Sequence, residues 1–176
     1  MKFVPTMLKG AYILEMELIR DSRGFFTRSF CKSEMEDHGL ESHFPQGNTS
    51  WNEKKNTLRG MHSQAEPHSE VKIIRCTRGR IYDVIVDIRP DSPTYCKWFG
   101  IELSANDYRM LYIPKGFLHG YQTLEPDTET TYMVSAYYAP GAERSARWND
   151  PAFNIKWPLP DPILSPKDAA HPDFKP

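Results

Sequence analysis

Apolar and polar residues along this chain alternate in short runs, and turn residues cut the runs apart. Ala11 to Ile19 and Phe25 to Phe30 are the first two runs, separated by Asp21-Ser22-Arg23-Gly24. Runs of about four to eight residues bounded by Gly, Pro, Asn and Asp are the signature of strands. One brief helix is predicted, with Ser33 capping Glu34 to His38 and Gly39 ending it. Gln46 to Asn56 is a polar stretch, which predicts a loop or an irregular strand. From Val71 the rhythm becomes regular. Strands are predicted at Val71 to Thr77, Ile81 to Ile88, Tyr95 to Leu103, Arg109 to Ile113, Gly120 to Leu124 and Thr130 to Ala136. Turns separate them at Arg78-Gly79, Pro90-Asp91-Ser92-Pro93, Ala105-Asn106-Asp107 and Glu125-Pro126-Asp127. Strands recurring at about 8 to 12 residue intervals, with no helix between them, predict an all-β antiparallel sandwich or jelly-roll barrel with short peripheral helices. The proline-rich tail from Pro151 onward is expected to wrap the outside.

Composition narrows the partners. The chain has 176 residues, with 22 Lys and Arg against 23 Asp and Glu, which suits one globular domain and gives no charge excess for nucleic acid. Phosphate binding must therefore rest on a few placed cations. Lys9, Glu15 and Glu17 interrupt the first apolar run, and no other run approaches the roughly 18 apolar residues of a membrane span. A soluble, cytoplasmic protein without a membrane partner is expected. Cys31, Cys76 and Cys96 follow no disulfide or zinc pattern and read as reduced thiols, most simply as small buried hydrophobes.

Two stretches carry candidate chemistry: Leu58-Arg59-Gly60-Met61-His62 and Ile113-Pro114-Lys115-Gly116-Phe117-Leu118-His119-Gly120. Each sets a histidine beside glycine where a side chain can reach a barrel mouth. In the second, proline ends a strand, glycine permits a sharp turn and His119 starts the next strand. This stretch resembles the second motif of the cupin barrels, whose first motif supplies two histidines and a glutamate to a metal. Here Gln64 stands where the second histidine is expected. A ligand set of His62, Glu70 and His119 can be drawn, but imidazole pairs usually anchor such sites, so no metal and no other cofactor is expected. His119 reads equally as a hydrogen-bonded structural histidine or a binding group. His62, Lys72 and Tyr132 together offer a base, a fixed cation and a weak acid, the roles needed to move a proton next to a ketone. A lone strand lysine or tyrosine is more often a surface or packing residue.

A larger set of motifs is more specific. Asp21-Ser22-Arg23-Gly24-Phe25-Phe26, the two histidine stretches, Tyr82-Asp83-Val84-Ile85-Val86-Asp87-Ile88-Arg89, Ser92-Pro93-Thr94 and Arg147-Trp148-Asn149-Asp150-Pro151 resemble the dTDP-4-dehydrorhamnose 3,5-epimerase family over essentially the whole chain. The resemblance implies a cupin-type jelly roll and an isomerase acting on a nucleotide sugar. It implies His62 as base, Asp168 as the carboxylate that orients it, Tyr132 as acid on the opposite face and Lys72 as the cation facing the enolate. His119 would lie near the sugar. Arg23, Arg59 and Lys167 match diphosphate and substrate contacts, Gln46, Asn48 and Glu143 polar contacts, and Tyr138 the aromatic that stacks on the base. The family's first strands cross to a second subunit, so Arg23 and Phe26 would serve a homodimeric partner's site. Asp168 also reads locally as half of a capping box with Ser165.

Several positions depart from the family pattern. Arg28 stands for a usual glutamate, Gly47 for aspartate, Ser63 for an aromatic and Met133 for lysine, and Glu66-Pro67-His68 replaces a glycine- and glutamine-rich turn. These changes leave the catalytic set whole and alter the nucleotide-recognition set. A single-centre epimerase, a CDP- or GDP-sugar substrate, a sugar ketoisomerase, a cupin oxygenase and a non-catalytic sugar-binding barrel are the alternatives.

Overall fold

The computed structural model describes residues 1–175. In chain order the strands are β1 (Lys2–Pro5), β2 (Tyr12–Glu15), β3 (Ile19–Asp21), β4 (Gly24–Phe26), β5 (Gln46–Asn52), β6 (Leu58–Gln64), β7 (Lys72–Arg78), β8 (Arg80–Asp87), β9 (Trp98–Ser104), β10 (Arg109–Ile113), β11 (Phe117–Thr123), β12 (Thr128–Val134) and β13 (Glu143–Ser145). Two short helices, α1 (Lys32–Asp37) and α2 (Pro166–Ala169), lie between and after them. One antiparallel sheet runs β1-β2-β10-β7-β12-β5, a second runs β13-β6-β11-β8-β9, and β3-β4 is a separate hairpin. This is the jelly-roll arrangement expected of the cupin type. No helix among the described residues is long and apolar enough to cross a membrane.

Strand alternation assigns the faces. Ile74, Cys76, Ile81, Ile85, Leu111 and Phe117 point between the two sheets and form the central core. Their sequence neighbours point outward, where a second layer covers them. Val84, Val86 and Leu118 meet Phe153 and Ile155 of the tail, and Leu14, Ile73 and Met110 meet Met35 of α1. Because both faces are covered, Ile81 to Ile88 reads as an almost unbroken apolar run. The tail does wrap the outside, as its prolines suggest.

Several boundaries differ from the predicted ones. Gln46–Asn52 is a regular strand paired along its length with β12, because its ladder needs no apolar face when one side lines a cavity and the other meets solvent. The first apolar run is two strands, β2 and β3, with Met16 to Leu18 outside either. The helix begins after Cys31, which makes no side-chain capping bond, and Ser33 is its second residue. His119 is the third residue of β11, since the strand starts directly after the turn at Gly116.

Ser92-Pro93-Thr94 and Asp87-Ile88-Arg89 prove to be one buried structural device. Asp87 is fully buried and accepts from Ser92 Oγ at 2.5 Å, Thr94 Oγ1 at 2.6 Å and Arg89 Nε and Nη2 at 2.8 and 2.7 Å. Burial raises the cost of its charge, yet these donors outweigh it and hold the carboxyl below its ordinary range.

Candidate active site

The two glycine-histidine stretches meet across one ladder: β6 pairs with β11 so that His62 lies opposite His119, with a register shift between His119 and Tyr121. Gly60 has φ 127°, and a Cβ built there would lie 2.5 Å from the Cα of Gly120. A Cβ on Gly120 would lie 2.8 Å from the Arg59 carbonyl oxygen. The paired glycines let the two strands approach closely, and the histidines are carried into the barrel mouth by that approach.

The mouth is a cavity of about 520 Å³. Its walls include His62, Lys72, Tyr132 and Asp168, together with Gln46, Asn48, Arg59, His119, Tyr138, Glu143 and Lys167. His62 comes from the five-stranded sheet, whereas Lys72 and Tyr132 come from the six-stranded sheet. Base and acid candidates thus stand on opposite walls. Arg23 and Phe26 do not line the cavity of their own chain. They sit on the β3-β4 hairpin, 68% exposed at Phe26, with Arg23 paired to Asp21 at 2.5 Å.

His62 is exposed on β6, its ring open to the cavity it lines. The protein packed behind the ring disfavours the cation first, and the nearby charge of Lys72, then His119, His171 and Lys167, adds to it, so the imidazole is held below its ordinary 6.5. Tyr132 moves the other way: burial, with help from Tyr121 and Glu70, raises its phenol above 10 against the opposing pull of Arg59. Across the physiological range one group is therefore a free base and the other a proton donor. Lys72 forms a buried ion pair with Glu70 at 3.0 Å. Alternation along β7 directs Lys72 inward with Ile74 and Cys76.

Gln64 is occupied structurally. Its amide nitrogen donates to Glu70 Oε2 at 2.5 Å, the His68 carbonyl at 3.0 Å and the Tyr137 carbonyl at 3.2 Å, and its oxygen accepts from Ala139 N–H at 2.7 Å. The residue ties Glu70 to the loop that carries Tyr138. Among the described residues no group of three or more His, Cys, Asp and Glu is arranged as a metal site, so the His62, Glu70 and His119 set is not assembled.

Asp168 lies in the cavity wall, but its hydrogen bonds are those of a helix cap. Ser165 Oγ accepts from the Asp168 N–H at 3.0 Å and donates to Asp168 Oδ2 at 2.8 Å. Among the described residues no hydrogen bond joins Asp168 to His62. The direct pairing implied by the resemblance is thus corrected in this conformation: the capping serine competes for the carboxylate, and His171 Nε2, 3.9 Å from Asp168 Oδ1, is the imidazole beside it. His119 is equally committed. Its Nε2 is 3.0 Å from Oδ1 of Asp83, a fully buried carboxylate on β8.

At the rim, Glu143 accepts from Lys167 Nζ at 2.5 Å and Tyr138 Oη at 3.1 Å. Lys167 is the main cause that holds the Glu143 carboxyl low, and Glu143 in turn raises the Lys167 ammonium. Arg59 donates from Nε to Asn52 Oδ1 at 2.7 Å. Two departures from the family pattern turn out to be neighbours: Gly47 and Met133 face each other in the β5-β12 register. Arg28 pairs with Glu34 at 3.0 Å, which neutralises its charge locally.

Sequence reasoning missed Asp83 and His171, and weighed Glu70 only in a metal set that it set aside, whereas Glu70 pairs with Lys72. Asp83 carried a readable signal, a carboxylate on the inward phase between Ile81 and Ile85. His171 carried only its spacing of three from Asp168.

A jelly-roll barrel whose mouth sets a neutral histidine against a protonated tyrosine, with cations at the rim, defines a cupin-type barrel equipped for proton transfer on an anionic ligand. A family model described as dTDP-4-dehydrorhamnose 3,5-epimerase matches residues 5–176, and the chain belongs to that family. It is 43% identical over 171 residues to the dTDP-4-dehydrorhamnose 3,5-epimerase of Salmonella typhimurium, covering 96% of this chain and 93% of that one. The enzyme of the same name from Bacillus anthracis, solved with TDP and pyrophosphate bound, superposes with a TM-score of 0.95 at 43% identity, covering 98% of this chain and 99% of that one. The dTDP-6-deoxy-D-glucose-3,5-epimerase of Legionella pneumophila, solved with dTDP-4-keto-L-rhamnose, gives a TM-score of 0.90 at 35% identity and 99% coverage of both chains.

Proposed function

We propose that the protein is a metal-independent epimerase of a dTDP-4-keto-6-deoxyhexose, inverting C3 and C5 in deoxysugar synthesis for cell-surface polysaccharide. The observation that carries this reading is the pairing of a neutral His62 and a protonated Tyr132 on opposite walls of one cavity. His62 removes the proton next to the C4 ketone, and the electron pair moves to the ketone oxygen as an enolate. Lys72 faces that oxygen, and Tyr132 returns a proton from the other side. Removal and return on different faces convert exchange into inversion. Lys167 and Arg59 meet the diphosphate, Tyr138 stacks on the base, and Gln46, Asn48, His119 and Glu143 fix the sugar and nucleoside. Substrate phosphate would have to draw Lys167 away from Glu143, which gives the rim ion pair a role in admission.

The reading includes a single-domain, cytoplasmic homodimer in which the exposed β3-β4 hairpin carries Arg23 and Phe26 to the partner's cavity. The exposure of both residues and their absence from the lining of their own cavity support it. The test is incubation with dTDP-4-keto-6-deoxyglucose in heavy water, with and without EDTA, following deuterium at C3 and C5 by NMR. His62-dependent incorporation at both carbons, unaffected by EDTA, is expected. Incorporation at one carbon alone converts the reading to a single-centre epimerase. Absence of His62-dependent exchange with the dTDP, CDP and GDP sugars overturns it and leaves sugar binding without catalysis.

A further inference from the structure

Glu70 has no part in the chemistry above, yet it lines the same cavity as Lys72, two positions ahead of it in the chain. Both side chains are nearly closed to solvent, 11% exposed at Lys72 and 5% at Glu70, and the ammonium lies 3.0 Å from Glu70 Oε1. Among the described residues Glu70 is the one carboxylate within ion-pair distance of Lys72. The other oxygen, Oε2, accepts from Gln64 Nε2 at 2.5 Å, and Gln64 is itself tied to the His68 and Tyr137 carbonyls and the Ala139 N–H. Each carboxylate oxygen thus has its own partner. Stability alone gives no reason for the pair: a buried ion pair recovers about what its desolvation costs, and an apolar pair of similar volume usually serves the fold as well or better. What an apolar residue at position 70 could not do is hold a cation in place.

We propose that Glu70 is a positioning residue for the reaction: it fixes the Lys72 ammonium in the cavity wall before the sugar enters, a role that rests on the epimerase reading. Lysine carries its charge on a flexible four-carbon stem with three N–H donors. Glu70 Oε1 can use one of those donors at most, so the others stay open to a ligand oxygen. When the proton leaves carbon, negative charge gathers on the ketone oxygen. A cation already standing there stabilises that charge without reorganising at the moment of reaction, whereas a mobile one has to be ordered first. The carboxylate also weakens the field of the ammonium it holds, and the advantage in position has to exceed that loss. Glu70 exchanges no proton with the sugar in this scheme and acts through Lys72.

The experiment measures kcat and KM for dTDP-4-keto-6-deoxyglucose in wild type, Glu70→Gln, Glu70→Asp, Lys72→Met and both Glu70 changes combined with Lys72→Met, with urea midpoints as the check on folding. Slow variants are followed by deuterium exchange over long incubation. Glu70→Gln keeps the shape and removes the charge, and should lower kcat about tenfold or more while KM moves less. Glu70→Asp keeps the charge and shortens the stem, and should retain more activity than Glu70→Gln. A packing role predicts the reverse order, because Gln is the isostere. In the Lys72→Met background neither Glu70 change should cost anything further in kcat, since the effect passes through the ammonium. If the unpaired ammonium unfolds Glu70→Gln, the Glu70→Asp series decides: it must lower kcat beside Lys72 and leave kcat unchanged beside Met. Wild-type kcat in Glu70→Gln or in Lys72→Met, less activity in Glu70→Asp than in Glu70→Gln, or a further loss in the double variants overturns the positioning role alone. Absence of any turnover or exchange by wild type overturns the role and the function together.

Discussion

Replacing Gly60 by alanine tests whether close approach of β6 and β11 is what positions His62, the proposed base. The added Cβ would lie 2.5 Å from the Gly120 Cα and 2.8 Å from the His119 carbonyl oxygen. Carbon atoms rest at about 3.5–4.0 Å, so the overlap is about 1 Å or more and falls on backbone, which cannot rotate away. Overpacking of this kind costs about 1–3 kcal/mol, and holding alanine at a positive φ adds about 1–3 kcal/mol. Midpoints sum to about 4 kcal/mol, a large share of the roughly 5–15 kcal/mol that stabilises a domain. Gly120→Ala meets Met61 Sδ at 2.7 Å and the Arg59 carbonyl oxygen at 2.8 Å without the positive φ, so it should cost about 2 kcal/mol. At Gly47 a Cβ meets nothing within 4 Å, and alanine there should change stability by less than about 1 kcal/mol. Urea unfolding reads the series: with an m-value of about 2 kcal/mol/M, Gly60→Ala should lower the midpoint by about 2 M. Turnover adds a second measure, because the strand shift carries His62 with it and a displacement of about 1 Å costs about a hundredfold. Equal midpoints for Gly60→Ala and Gly47→Ala would refute the packing argument. A destabilised Gly60→Ala with wild-type kcat would refute the link to the base.

Asp87→Ala removes the acceptor for Arg89, Ser92 and Thr94 and should cost about 3–5 kcal/mol in urea unfolding, with kcat of the folded fraction unchanged because the network lies outside the cavity. Gln64→Leu deletes the tie between Glu70 and the Tyr138 loop, leaves polar groups unpaired and should destabilise by about 2–4 kcal/mol, with KM rising more than kcat falls; a larger effect on kcat would contradict the positioning role. The depressed His62 pKa has a definite sign in stability. The unfolded chain binds this proton below about 6.5 and the folded chain only at lower pH, so stability is full above 6.5 and declines as pH falls below it. His62→Asn should therefore flatten the acid side of the stability profile, and NMR of the His62 ring should show the neutral form persisting below pH 6.5. A ring that titrates at or above 6.5 sinks both the profile and the assignment of a free base.

How much of this was readable follows from what each face must do. Val71 to Thr77, Ile81 to Ile88 and Arg109 to Ile113 were legible because apolar burial on one or both faces leaves a periodic or continuous trace. Gln46–Asn52 was not, because its inward residues Gln46, Asn48 and Ser50 line a polar cavity and its outward residues meet solvent, so neither face has to be apolar. A strand that gives the site three polar residues is one that hydrophobic patterning reads as a loop or an irregular strand.

The geometry of the candidate site has the same origin. His62 and Tyr132 belong to different sheets, and their juxtaposition depends on pairing order, which residue spacing does not encode. What local sequence does encode is backbone permission, and the glycines at 60 and 120 are that record. Side-chain alliances were the least legible: Asp168 is taken by Ser165, Glu70 by Lys72 and Gln64, and Asp83 by His119. Each carboxylate's role is decided by which donor the fold brings within about 3 Å, a distance set by strands and turns remote from it in the chain. A motif can name the carboxylate, but the competition for it is a property of the folded cavity.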